Sequence, residues 1–159
     1  MISTAADKTT LELPNIDNEV LLQQLSAAVS PLPVIKPLLA DIKQQCHDYF
    51  RKTLDATTLV AHRSQLIDQI LFCLWQNSGF NDTKENQVEG SISLLAVGGY
   101  GRGELQPHSD IDLLVVLENE AAFDNHKEAL QAFITLLWDL KLDIGHSVRT
   151  LDECVSEAE

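Results

Sequence analysis

Ser91–Leu117 reads SISLLAVGGYGRGELQPHSDIDLLVVL, and this stretch decides the fold. It predicts a strand, a glycine turn, a short helix, a second turn and a second strand. Ile92, Leu94, Leu95, Ala96 and Val97 make an apolar run of strand length that stops at Gly98-Gly99, where backbone freedom replaces side-chain packing. A second short run, rich in Leu and Val, extends from Ile111 to Leu117. Between the two, Gly98, Gly99, Gly101 and Gly103 fill four of six positions, so backbone N–H groups there can approach a ligand with no Cβ in the way. A phosphate suits such a turn.

The second strand opens on Ser109-Asp110-Ile111-Asp112-Leu113. Its period of two sends both carboxylates to one face and Ile111 and Leu113 to the other. Two anions that close repel unless a counterion joins them, and hard divalent cations such as Mg²⁺ prefer carboxylate oxygens. Glycines for phosphate and acids for metal together describe a nucleoside-triphosphate site. Arg102, beside a helix start, meets the helix dipole unfavourably unless an anion is present, which favours a ligand role. Ser109 is a candidate phosphate contact, with a turn residue bonding its own backbone as the plainer alternative. His108 is a weaker metal candidate, and His47-Asp48, on a predicted helix with no preceding histidine, reads as chance.

The run GGYGRGELQPHSDIDLL, continued by LLWDLKLDIGHSVRTLDEC, resembles the amino-terminal catalytic domain of the bacterial bifunctional PII uridylyltransferase/uridylyl-removing enzymes, within the polymerase-β-like nucleotidyltransferase superfamily. The similarity covers roughly Leu38 to the end and is most specific between Val97 and Thr150. It implies UTP as donor, Mg²⁺ as cofactor, a tyrosine of the PII nitrogen-regulatory protein as acceptor, and pyrophosphate as product. Composition and spacing show neither the donor nor the acceptor.

A third carboxylate is expected, because two-metal transfer ordinarily draws on three acids. Asp139, Asp143 and Asp152 compete. Asp139 belongs to a helix end and Asp152 to a helix start, whereas Asp143 lies in extended sequence. Alternation puts Asp143, Gly145, Ser147 and Arg149 on one face, and Leu142, Ile144, His146 and Val148 on the other. In the family it resembles, an acid matching Asp143 follows the same Trp-Asp-x-x-Leu run. Asp110, Asp112 and Asp143 are therefore the expected catalytic and metal-binding acids, with Asp143 on the acceptor side.

Length and composition bound the rest. The chain has 159 residues, 45% of them apolar, enough to bury one core. A net charge of −13 would repel a nucleic-acid backbone, so no nucleic-acid partner is expected. A triphosphate arriving with Mg²⁺ is less excluded, since Arg102, Arg149 or Lys141 could assist. Cys46, Cys73 and Cys154 are odd in number and show no Cys-x-x-Cys pair, so reduced structural thiols are expected. No run approaches the roughly 18 apolar residues of a membrane span, and MISTAADKTTLELP has no signal-peptide pattern. These features point to a cytoplasmic protein.

The expected fold class is α/β (α+β): a small mixed sheet of the nucleotidyltransferase fold under covering helices, preceded by an N-terminal helical pair. Residues 1–30 read as a flexible tail, with Val20, Leu21, Leu22 and Leu25 able to form one short helix. Residues 31–80 read as the helical region. One helix starts at Pro37, and a second follows Asp55 with the stripe Leu59, His62, Leu66, Ile70, Cys73 and Leu74. Asn77–Gly90 reads as a loop. Residues 91–159 are the transferase core, including a helix with Leu130, Phe133, Ile134, Leu137 and Trp138 facing inward. Leu151–Glu159 reads as a helix cut short, so the core is expected to be truncated at its C-terminal end and weakly active alone.

Rival readings keep part of this pattern. A glutamine-synthetase adenylyltransferase-like or aminoglycoside-modifying enzyme would share the chemistry and change the substrates. A glycosyltransferase also uses Asp-x-Asp, but usually after a long nucleotide-binding region, whereas the residues before the central strand here read as mostly helical. A catalytically incomplete binding module would keep the fold alone.

Overall fold

The computed structural model describes residues 13–80 and 90–158. Three helices come first: α1 (Asn18–Ala27), α2 (Leu32–Thr53) and α3 (Ala56–Asn77). A sheet of three strands follows, β1 (Ile92–Ala96), β2 (Ile111–Leu117) and β3 (Ile144–Thr150). The short α4 (Gly98–Gly101) separates β1 from β2, α5 (Glu120–Asp139) separates β2 from β3, and α6 (Leu151–Ala158) follows β3. This is the mixed α/β arrangement expected from the sequence.

β2 is the central strand, antiparallel to β1 and parallel to β3. Its sequence IDLLVVL alternates as a central strand should: Ile111, Leu113, Val115 and Leu117 are buried, and the residues between them are half-buried. The parallel step to β3 needs a crossover, which α5 supplies. Asn119 starts α5 by accepting the Ala122 N–H at 2.9 Å. Leu130, Phe133, Ile134 and Leu137 on α5 are buried, as their helical spacing predicts.

Trp138 departs from that expectation. It is 53% exposed and meets His146 edge-on, with ring centroids 5.8 Å apart. Adding Trp138 to the Leu137 position overshoots the width of the buried stripe, and the indole lies over the apolar side of β3. The aromatic weight of the core sits elsewhere: Trp75 stacks on Phe80 at 4.0 Å and meets Phe133 edge-on at 5.2 Å, tying the end of α3 to α5.

The helical region is larger than a pair. Asp17 caps α1 by accepting from Glu19 N and Val20 N, and Leu21 and Leu25 are buried among the core residues. Gln69 on α3 donates to the Ile16 carbonyl at 3.2 Å, and His62 meets the Pro14 carbonyl at 2.5 Å. Thus α1, within the stretch read as a tail, is packed against α3. Residues 1–12 of that stretch, and residues 81–89 of the loop read over Asn77–Gly90, lie outside the described residues.

α2 begins at Leu32, so Pro37 lies inside the helix rather than at its start. Pro33 suits the first turn, where a missing N–H costs nothing, and the Pro31 carbonyl accepts from Val34 N and Ile35 N. Pro37 leaves one carbonyl of the preceding turn without its helical donor. α2 ends at Leu54 in a left-handed conformation (φ 56°), and Asp55 immediately caps α3 by accepting from Thr58 N at 3.0 Å.

Candidate active site

The topology brings three chain segments to one end of the sheet. β1 runs antiparallel to β2, so its last residue, Ala96, pairs with Leu113 near the beginning of β2. β3 runs parallel to β2, so the beginnings of both strands are neighbours, with Ile111 opposite Ile144 and Asp112 opposite Gly145. The end of β1, the glycine turn and the starts of β2 and β3 therefore meet. Two backbone bonds fix the junction: Val97 N donates to Asp112 O at 3.0 Å, and Ile111 N donates to Asp143 O at 2.8 Å.

Asp110 immediately precedes β2 and Asp143 immediately precedes β3, and the ladder continued by one residue sets them opposite each other. Paired residues of parallel strands share a face, so Asp110, Asp112 and Asp143 belong to the same side of the sheet. Among the described residues, no three acids, histidines or cysteines are drawn together closely enough to hold one ion.

Asp112 has the most confined setting of the three. A Cβ on Gly98 would stand 2.5 Å from Asp112 Oδ2, and one on Gly145 would stand 2.8 Å from Oδ1. The carboxylate thus occupies a slot whose two walls are glycine backbones, one from the turn and one from β3. Gly98 also has φ +61°, a conformation that few other residues adopt without strain. An all-carboxylate donor set beside such a slot fits a hard divalent cation.

The remaining expected residues are less uniform in their placement. Gly99 accepts from Arg102 N and Glu104 N, closing the turn behind Gly98. Arg102 is exposed and its Nε lies 3.2 Å from Glu104 Oε2. Ser109 donates its hydroxyl to Gln106 O at 3.0 Å, the turn role weighed as its alternative. His108 is exposed. Arg149 pairs with Glu157, toward the opposite end of β3. His47 and Asp48 are exposed neighbours on α2.

Sequence reasoning missed Arg63. This half-buried arginine of α3 lies within electrostatic reach of Asp143 and Cys46. Burial pushes its guanidinium below the usual arginine range, while the charges of Cys46 and Asp143 oppose that fall. No local motif surrounds Arg63, and only the packing of α3 against the sheet side reveals it. A groove lined by Leu117, Phe123, Val148 and Thr150 lies at the opposite end of the sheet and contains none of these acids.

Residues 80–154 match the nucleotidyltransferase domain family, a span that holds the glycine turn and all three acids. This part of the chain is a nucleotidyltransferase domain. The match sets aside the glycosyltransferase reading of Asp110-x-Asp112. The chain is also 38% identical over 151 residues to the bifunctional uridylyltransferase/uridylyl-removing enzyme of Pseudomonas putida (strain W619), covering 92% of this chain and 16% of that protein. The enzyme of the same name from Pseudomonas aeruginosa (strain LESB58) is 35% identical over the same shares of both chains. That from Chromobacterium violaceum is 40% identical over 134 residues, covering 84% of this chain and 15% of the relative. The chain therefore spans about one sixth of the length of these curated relatives. No solved structure matches it. Among the described residues, no helix is long and apolar enough to cross a membrane.

Proposed function

We propose that this nucleotidyltransferase domain moves UMP from UTP to a tyrosine hydroxyl of a PII signal protein in the cytoplasm, with pyrophosphate leaving. The observation that supports it most is the Asp112 slot: a carboxylate between two glycine backbones, where the phosphate-type turn meets the starts of two acid-bearing strands. The names of the relatives support the uridylyl group, and the net charge of −13 argues against a nucleic-acid acceptor.

In this reading Gly98 and Gly99 present backbone N–H groups to the β- and γ-phosphates, with Arg102 as an additional cation and Ser109 shaping the approach to Asp110. Asp110 and Asp112 face the α-phosphate, and Asp143 stands on the side from which the hydroxyl enters. Asp110, Asp112 and Asp143 would share between them the Mg²⁺ ions that offset phosphate charge and lower the pKa of the entering hydroxyl. The oxygen–phosphorus bond to the tyrosine forms as the bond between the α-phosphorus and the pyrophosphate oxygen breaks. The chain's own residues contribute orientation and charge, keeping attacking and leaving oxygens in line.

The test compares labelled UTP, ATP, GTP and CTP as donors to a PII protein, with Mg²⁺, in the enzyme that carries this chain in full. Transfer is expected from UTP in clear preference to the other three. A preference for ATP would favour the adenylyltransferase-like alternative, and absence of transfer from every donor would favour the binding-module reading.

Asp143→Asn separates the acids by role. It is expected to lower kcat by about 10²-fold while leaving the apparent affinity for UTP within about threefold, because it acts on the nucleophile and not on the triphosphate. Steady-state kinetics with UTP varied at saturating acceptor measures this. Weakened UTP affinity at unchanged kcat would move Asp143 to the phosphate side.

A further inference from the structure

The glycine turn is held from outside the sheet. Ser64 and Asp68, one helical turn apart on α3, reach it at two points. Ser64 Oγ accepts the backbone N–H of Leu105 at 3.2 Å, and Asp68 Oδ1 accepts the Tyr100 hydroxyl at 2.5 Å. Ser64 is itself oriented, since its hydroxyl donates to Val60 O at 3.2 Å. The bonds bracket the Gly101–Glu104 segment.

The attachment points are the places where the turn has something to attach. In Gly98–Leu105 the only bulky apolar side chains are Tyr100 and Leu105, and both are buried, at 4% and 0% exposure. The other positions are glycines or the exposed Arg102 and Glu104. Glycine-rich backbone has the greatest conformational freedom of any sequence, so this segment cannot hold one shape by its own packing. Burial, then the bond to Asp68, push the Tyr100 hydroxyl far above its ordinary pKa, so it remains a donor. On α3, Ser64 and Asp68 serve neither cap, because the helix runs from Ala56 to Asn77.

We propose that Ser64 and Asp68 are positioning residues for the triphosphate-binding turn, making α3 a structural part of the transfer site. This deepens the transferase reading and rests on it. The bonds fix where the N–H groups of Gly98 and Gly99 point, and small displacements of groups that meet a substrate have large kinetic effects. Because the β- and γ-phosphates are held in both ground and transition states, the effect falls on KM more than on kcat.

The experiment measures kcat and KM for UTP in the full enzyme carrying Tyr100→Phe, Asp68→Ala or Asp68→Asn, with Asp112→Asn as control. Tyr100→Phe keeps the ring and loses only the donor; Asp68→Asn keeps an acceptor oxygen. Tyr100→Phe and Asp68→Ala are each expected to raise KM by about tenfold with kcat within about twofold, and Asp68→Asn to restore KM to within about threefold of the parent. The double variant Tyr100→Phe/Asp68→Ala should be no worse than either single one, since both remove the same bond. Unchanged KM in both Tyr100→Phe and Asp68→Ala, with Asp112→Asn inactive, would overturn the proposal while leaving the transferase reading in place. So would a fall in kcat alone at parental KM, which is the mark of a merely structural role. An active Asp112→Asn would instead strike at the transferase reading itself. If Asp68→Ala fails to fold, Tyr100→Phe decides the matter alone.

Discussion

Asp112→Asn is expected to lower nucleotidyl transfer by at least about 10³-fold, or about 4 kcal/mol in barrier, with Asp110→Asn close behind. The substitution keeps side-chain volume and removes the negative charge that the proposed mechanism assigns to holding metal. Neither carboxylate forms an ion pair among the described residues, so the fold does not rely on these charges. The thermal midpoint measured without metal should stay within a few degrees of the parent or rise slightly, because the variant relieves repulsion between neighbouring acids. Transfer assays beside thermal melts check both halves. Activity within tenfold of the parent in either variant would remove that residue from the mechanism.

Gly145→Ala is expected to lower transfer by about 10²-fold without destabilising the protein, since displacements near 1 Å at a reacting group have effects of that order. The new Cβ would stand 2.8 Å from Asp112 Oδ1, too close to coexist. The atom it meets is the tip of a side chain, so the carboxylate can swing away and the strand need not move. Alanine suits a strand interior better than glycine by roughly 0.5–1 kcal/mol, so the melting temperature should hold or rise. Gly98→Ala attacks the same carboxylate from the other wall, where the Cβ would stand 2.5 Å from Oδ2. Its φ of +61° adds strain of about 1–2 kcal/mol, so this variant should lose both activity and stability. An active Gly145→Ala enzyme would show that the slot around Asp112 is wider in solution than its two glycine walls imply.

The parts of the site that were legible in the sequence are those encoded locally. A strand, a glycine turn and an Asp-x-Asp strand lie within 27 consecutive residues, Ser91 to Leu117, and period-two alternation fixed which face each acid takes. Asp143 followed from alternation and family resemblance, and the parallel ladder then set it opposite Asp110. Contributions from α3 were not legible. Ser64 and Asp68 lie 41 and 32 residues from their partners, and their polarity within an apolar stripe resembles ordinary surface wetting until the turn is seen against them. Arg63 was hidden for the same reason. Trp138 misled because hydrophobic periodicity ranks an indole with leucine, although its size lets it serve at the margin of a core. The extent of α2 was obscured by Pro37, since proline ordinarily starts or breaks a helix and here does neither.

The parallel pairing of β2 with β3 also sets when the site can exist during synthesis. The amino end leaves the ribosome first, so α3, the glycine turn and Asp110-x-Asp112 emerge before α5 and β3. Until β3 docks, Asp112 lacks its Gly145 wall, Ile111 N has no carbonyl to meet and Asp143 is elsewhere. A nascent chain paused within α5 therefore displays the acidic pair and the glycine turn with neither the Gly145 wall nor Asp143 beside them.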